Sequence, residues 1–180
     1  VQTPPPADHL AELQPSTAPK PAEEQLVAMN RLESVEPLPY KGSVLRGASE
    51  DSAELFRKAM ASYTAHDYKK AVQHLSEIPV GIPGSGKPDE HITDAGVQLY
   101  LGVSRLILNQ NAGAIEALRR SVEYGDTPYL ESAGYYLSKG LIRQKNWNEA
   151  EAQLRKTIAL NGDRQNAARQ LLADLEHASR

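Results

Sequence analysis

Cysteine is absent from this chain of 180 residues. Its absence excludes disulfide bonds, zinc sites built on thiolates, iron–sulfur clusters and a cysteine nucleophile. No apolar run approaches the roughly 20 residues that a helix needs to cross a bilayer, so we expect no membrane insertion by this chain. Lysine and arginine number 20 against 23 aspartates and glutamates, which gives a net charge of -3. Because this balance offers no excess of positive charge to phosphate backbones, we expect no nucleic-acid partner.

The chain opens with Val1 instead of Met, and no apolar signal-like segment follows. We therefore expect a mature or trimmed piece of a longer product, and an upstream membrane anchor is compatible with that expectation. A periplasmic, extracytoplasmic location agrees with the missing cysteine and with a proline-rich stalk. A cytoplasmic location stays open.

Proline divides the chain into two parts, because eight of the 12 prolines lie in the first 39 residues. Residues 1–21 have few large apolar groups and are predicted to be a flexible linker. Residues 22–33 favour a short helix. Pro37-Leu38-Pro39-Tyr40 favours an extended segment, because a residue before proline is pushed out of the helical conformation. We therefore predict a proline-rich, flexible or extended segment over residues 1–48 and a folded domain over residues 49–180.

The folded domain has apolar residues at helical spacing throughout. They predict three helical hairpins followed by one amphipathic helix. The hairpins cover residues 49–79, 93–125 and 128–161, and the last helix covers residues 163–178. In the second hairpin, the first helix is expected over residues 97–109, and Gly125 is expected to end the second helix in the left-handed conformation.

The three hairpins share a pattern of small and apolar residues. In each, the second helix has an alanine near its start and a leucine four positions later, and the first helix has a small residue twelve positions before the alanine. These residues are Ala59, Ala71 and Leu75, then Gly102, Ala114 and Leu118, then Ser138, Ala150 and Leu154. Small residues let two helices cross closely, and bulky neighbours fill the space between them. Trp147 is expected to fill such a gap.

This pattern resembles the tetratricopeptide repeat, a 34-residue helix–turn–helix unit. The pair Leu101-Gly102 and the run Asp67-Tyr68-Lys69-Lys70-Ala71 carry the resemblance most clearly. Two features depart from the family pattern: an insertion around residues 80–91, and Arg105 in a place that is usually aromatic or apolar. The resemblance implies an all-α, right-handed α-α superhelix of about three hairpins, with the last helix capping its open end. An irregular helical bundle is the alternative.

One loop invites an enzymatic interpretation. Residues 81–87 match the spacing of a phosphate-binding loop up to Lys87, but such loops need a serine or threonine next, and Pro88 stands there. The loop also follows a helix, and no parallel sheet is predicted to seat it. Asp89-Glu90-His91 with Asp94 is better explained as a helix start than as a metal site. We expect no enzyme, no metal and no cofactor.

The resemblance also implies a binding surface, because the first helices of such hairpins line a concave groove. The side chains expected on this groove are Phe56, Met60, Tyr63, Leu99, Tyr100, Val103, Tyr135, Tyr136, Lys139 and Arg143. Burial within the hairpins is the alternative for each. Aromatic side chains with a polar tip are good anchors for peptides. Because the set contains only two basic residues, a clamp for a terminal carboxylate is not favoured, and a peptide held mostly by apolar contacts is expected.

The leading functional hypothesis is therefore a non-catalytic module that binds a protein or peptide in this groove. The alternatives are the extracytoplasmic regulatory tail of a membrane-tethered anti-sigma-type regulator and a free exported scaffold protein. A tethered ligand is a further hypothesis. The extended residues 37–45 would pack along the first hairpin and cover part of the groove or the exposed N-terminal edge, since a short linker gives an effective concentration of about millimolar.

Overall fold

A computed structural model describes residues 21–42 and 48–178. Within these ranges the chain forms eight α-helices and no β-strand, so the predicted all-α class is confirmed. The helices are α1 (Pro21–Glu33), α2 (Glu50–Thr64), α3 (Tyr68–Glu77), α4 (Pro88–Ile107), α5 (Asn111–Glu123), α6 (Leu130–Arg143), α7 (Trp147–Ala159) and α8 (Gln165–Ala178). Most of the predicted linker, residues 1–20, lies outside the described ranges, as do Val44 and Leu45.

Helices α2 to α7 form three hairpins whose turns have the same geometry. Each turn has one residue with positive φ, namely His66 (61°), Asn109 (59°) and Lys145 (59°). Its N–H donates to the carbonyl three residues back, and the N–H of the next residue donates to the carbonyl five residues back. This is a Schellman motif, which ends a helix by satisfying its last carbonyls. The sequence repeat therefore extends to the backbone of the turns.

The small residues lie where the helices of each hairpin meet. Ala71, Ala114 and Ala150 are fully buried. A Cβ added to Gly102 would overlap the Leu118 side chain and would lie 3.2 Å from the carbonyl oxygen of Ala114. The predicted close crossing of the helices is therefore confirmed at Gly102.

Trp147 does not fill a gap between helices, so that prediction is wrong. It is the first residue of α7 and remains 40% exposed. A side chain in this position lies at the end of the helix–helix contact, where solvent still reaches the indole. Gly125, in contrast, has the predicted left-handed conformation, with φ of 77°.

Helix α4 is longer than the predicted residues 97–109. It begins at Pro88 with Asp89 and Glu90 in its first turn, and the Glu90 carboxylate accepts a hydrogen bond from the N–H of Lys87 at 3.2 Å. Proline at the first helical position and acidic groups at the N-terminus both favour helix initiation. The inserted residues therefore extend the helix as well as forming a loop.

The N-terminal helix α1 packs against the C-terminal helix α8, far from it in the sequence. Each helix from α2 to α7 packs against the next, whereas α1 packs against α8 and α6. The helix favoured over residues 22–33 is thus present as α1. Leu32 of α1 is 2% exposed and belongs to the same hydrophobic core as the three hairpins.

Candidate functional site

Residues 31–40, here named the strap, cross the first helices of all three hairpins. The strap comprises the end of α1 and the irregular residues that follow it. Its early residues contact α6, and its last residue contacts α4 and α2. The side of α2, α4 and α6 that it covers is named the strap face. The strap runs along this face in the direction opposite to the chain order of the hairpins.

Side chains of the strap face donate hydrogen bonds to main-chain carbonyl oxygens of the strap. On α6, Lys139 Nζ donates to the carbonyls of Arg31 and Ser34 at 2.5 and 2.9 Å. Arg143 donates to the carbonyl of Glu33 at 2.6 and 3.0 Å. Arg143 is itself positioned by a hydrogen bond that it donates to the carbonyl of Leu106 in α4, at 2.6 Å.

Two tyrosine hydroxyls continue this series of contacts. Tyr136 of α6 donates to the carbonyl of Glu36 at 2.8 Å, and Tyr63 of α2 donates to the carbonyl of Leu38 at 2.9 Å. The acceptors are backbone atoms, which every peptide carries, so this mode of binding does not depend on one side chain.

An aromatic cluster holds the last residue of the strap. The ring of Tyr40 lies 6.2 Å from that of Phe56 and 5.8 Å from that of Tyr100, with edge-to-face geometry in both pairs. Tyr100 makes a further edge contact with Tyr63 at 5.2 Å. Such pairs contribute about 0.5–1.5 kcal/mol each beyond the area that they bury.

A cavity of about 200 Å³ lies beside the strap, between α6 and α8. Its wall includes Glu36 of the strap together with Lys139 and Arg164. The guanidinium of Arg164 lies 5.5 Å from the ring centres of both Tyr135 and Tyr136. The cavity is therefore lined by cations and aromatic rings, and Glu36, which remains exposed, lies beside them.

Burial changes the ionisation of the groups on the strap face. It raises the pKa of Tyr136 to about 12 and raises the pKa values of Tyr63 and Tyr100 further. It lowers the pKa of Lys139 to about 8, and the nearby Arg143 acts in the same direction. The tyrosines therefore remain neutral hydroxyl donors at physiological pH.

The anchor of the strap on α8 is an ion pair. Arg31 binds the Asp174 carboxylate through two nitrogens, at 2.7 and 2.8 Å, and Asp174 is 3% exposed. The sequence argument missed both residues. One signal was available, because Asp174 stands three residues after Leu171, on the buried stripe of α8.

The ten residues predicted for the groove fall into three groups. Six contact the strap, two of them only through ring edges: Phe56, Tyr63, Tyr100, Tyr136, Lys139 and Arg143. Met60, Leu99 and Val103 lie in the hydrophobic core, as the alternative of burial within the hairpins describes. Tyr135 is half-buried and lines the cavity.

The predicted packing of the extended segment on the first hairpin is confirmed for Leu38 and Tyr40. The contact also extends beyond the prediction. The strap begins at Arg31, before the segment that the sequence singled out, and it reaches the third hairpin.

The loop that resembles a phosphate-binding loop is tied to α4 and α5. Gly81 donates its N–H to Asp94 at 2.8 Å and accepts the Tyr124 hydroxyl at 2.6 Å. Burial raises the pKa of Asp94. No cluster of three or more histidines, aspartates or glutamates that could hold a metal occurs in residues 21–42 and 48–178.

No protein-family model matches the sequence, and no curated protein is significantly similar to it. None of the helices in the described part of the chain is both long and apolar enough to span a membrane. Function is therefore inferred from the strap and from the face that it covers.

Proposed function

We propose that this chain is a non-catalytic module that binds an extended peptide of a protein partner on the strap face. The observation that carries the proposal is the row of hydrogen bonds from this face to strap carbonyls, made by Tyr63, Tyr136, Lys139 and Arg143. A row of donors aimed at backbone carbonyls suits recognition of an extended peptide, and side-chain pockets then add specificity.

The proposal includes a fold of the tetratricopeptide type, a right-handed superhelix of three hairpins. Three observations support it: the repeated Schellman turns, the buried alanines, and the close crossing of helices at Gly102. In such an array the first helices line one concave face. The strap lies against the first helices here.

The strap makes the module self-occupied. A partner peptide has to displace an intramolecular competitor whose effective concentration is about millimolar for a short flexible connection. The apparent affinity of the partner is lowered by the fraction of molecules whose strap face is open. Attachment to an anti-sigma-type regulator, export as a free scaffold and a periplasmic location stay predictions from the sequence.

The test is a peptide-library selection on the full chain with the strap weakened by Tyr40→Ser. This change removes the ring that contacts Phe56 and Tyr100 and leaves the strap face intact. We expect selected peptides to perturb the NMR signals of Tyr63 and Tyr136, and to bind wild type more weakly. Peptides that bind only elsewhere on the surface, or no selected peptide at all, would contradict the proposal.

A further inference from the structure

We infer that the strap face selects a particular class of peptide, extended and proline-interrupted, with the order acidic, proline, apolar, proline, aromatic. In the strap these positions are Glu36-Pro37-Leu38-Pro39-Tyr40. The inference rests on the proposed function and adds the chemistry of the partner and its direction of binding, with its N-terminal end on α6 and its C-terminal end on α2.

The two tyrosine hydroxyls bind the carbonyls that directly precede the prolines. Tyr136 donates to the carbonyl of Glu36, before Pro37, and Tyr63 donates to the carbonyl of Leu38, before Pro39. Proline has no N–H to donate. Because the strap face binds the carbonyl of the preceding residue at these two positions, a proline there costs no hydrogen bond to the face.

Proline also favours the bound conformation before binding occurs. It restricts the residue before it to extended geometry, so Glu36 and Leu38 are held extended in the free peptide as well. A preformed extended peptide loses less conformational entropy on binding than a flexible one. The strap face thus gains affinity from proline at two alternate positions.

The side chains between and beside the prolines have separate environments. Leu38 packs against the hydrophobic core, and the ring of Tyr40 lies against Phe56 and Tyr100. Glu36 lines the cavity that also contains Lys139 and Arg164. The apolar and the aromatic side chain therefore meet complementary chemistry, while the acidic side chain remains exposed beside a cavity whose lining includes these two cations.

The direction of binding follows from the two ends of the row. Lys139 of α6 donates a hydrogen bond to the carbonyl of Ser34, and Tyr63 of α2 donates one to the carbonyl of Leu38. Reversing the sequence of the peptide would place the acidic residue at the aromatic cluster, away from the cations.

The test uses a fluorescent peptide with the sequence of residues 34–42, SVEPLPYKG, added to the full chain with Tyr40→Ser. We expect saturable binding by fluorescence anisotropy, and binding to wild type at least about tenfold weaker because the intact strap competes. Replacement of both prolines in the peptide by alanine, or of its tyrosine by alanine, is expected to weaken binding by about tenfold. The same peptide with its sequence reversed is the matched control for composition.

Circular dichroism checks that the variant is folded, and Leu38→Ser provides a second weakened strap. If the proline-free or reversed peptide binds as tightly as SVEPLPYKG, the inference is overturned. If library peptides of unrelated pattern bind the strap face while SVEPLPYKG does not, the inference fails and the proposed function stands. If no peptide binds either variant at this face, the proposed function fails as well. Dimers of the variant that SVEPLPYKG cannot dissociate would assign the face to a second copy of the chain and would overturn the inference.

Discussion

Single hydroxyl groups set the position of the strap. Tyr63 and Tyr136 reach its backbone from two different hairpins, and burial keeps both neutral because it raises their pKa values. A neutral hydroxyl donates its hydrogen bond equally well at any pH below its pKa. The contacts of the strap with these residues are therefore insensitive to pH in the physiological range.

Tyr63→Phe should loosen the strap without disturbing the hairpins, since the ring stays in place and only the bond to the Leu38 carbonyl is lost. A hydrogen bond of this kind contributes about 0.5–1.5 kcal/mol, so amide exchange at Glu36, Leu38 and Tyr40 should accelerate about two- to twelvefold. Hydrogen exchange measured by NMR checks this.

Tyr124→Phe is the matched control, because that hydroxyl binds the carbonyl of Gly81, away from the strap. Equal acceleration of the strap amides in both variants would show that the effect is general destabilisation.

Gly102→Ala should lower the free energy of unfolding by about 1–3 kcal/mol, because the new methyl group overlaps Leu118, and Gly102→Leu should cost more. Chemical denaturation measures both. In Gly113→Ala the added Cβ meets only the flexible end of Arg105, at 3.3 Å, so stability should be unchanged or higher by up to about 1 kcal/mol. If Gly102→Ala behaves like Gly113→Ala, the close helix crossing is not present.

At the scale of elements, α1 depends on α8 for its position. Leu32 supplies the apolar contact, and Arg31 supplies a two-pronged bond to a carboxylate that is almost fully buried. Without Arg31, the one hydrogen bond that Asp174 would retain among the described residues is that from Gln170, at 3.2 Å. An incompletely satisfied buried carboxylate is costly, so this pair ties the two helices together.

Arg31→Met should therefore release α1 selectively. We expect exchange at the amides of Ala28 and Leu32 to become at least about tenfold faster, while the amides of α4 and α5 keep their protection. Arg155→Met is the control, because Arg155 also binds an acidic residue of α8, Glu176, but lies on the surface away from α1. Unchanged exchange in α1 would mean that the ion pair with Asp174 does not hold the helix.

Elements could be predicted from the sequence where the signal is local. Apolar periodicity located the three hairpins and the helix over residues 22–33, and Gly125 marked a helix end correctly. The repeat pattern placed the start of α4 too late, at residue 97, whereas the interpretation of Asp89 and Glu90 as a helix start was correct. Trp147 was misassigned because a position within a repeat does not determine how far its side chain is covered.

For the whole molecule, the path of the strap depends on contacts that no local pattern contains. Tyr136 and Lys139 contact strap residues that lie 100 and 105 positions earlier in the chain, and Arg31 binds Asp174 across 143 positions. The sequence identified most of the residues on the strap face, since aromatic and basic side chains on the first helices were visible. It predicted that an extended segment covers the first hairpin, but not that the strap also reaches the third. The packing of α1 against α8 leaves no periodic pattern in the sequence.

The titration of Lys139, Tyr124 and Tyr136 should make the free energy of unfolding rise between about pH 8 and pH 10 and fall above pH 10. Lys139 has its pKa lowered to about 8 from a usual 10.5, chiefly by burial and then by Arg143, with Glu36 and Asp174 opposing. Between about pH 8 and pH 10.5 the unfolded chain binds a proton at Lys139 that the folded chain does not. The free-energy cost of burying the charged amine is therefore complete below pH 8 and is relieved as pH rises. Tyr124 and Tyr136, with pKa values raised from 10.0 to about 12, act in the opposite direction: the stability they confer is lost as pH rises above 10.

Guanidinium denaturation from about pH 7 to about pH 11 measures this profile. Lys139→Met should remove the rise on the neutral side and keep the alkaline fall. If wild type and Lys139→Met lose or gain stability in parallel over the whole range, Lys139 does not titrate as its burial implies.

The separation of 143 residues between Arg31 and Asp174 has a consequence during synthesis. A ribosome adds about 5–20 residues per second, so α8 is made roughly 7–30 s after α1. Helices α2, α4 and α6 are translated in this interval, before the helix that anchors α1 exists. If the proposed function holds, a partner present at the ribosome meets a strap that still lacks its anchor on α8, whereas a partner that arrives later has to displace a fully anchored strap.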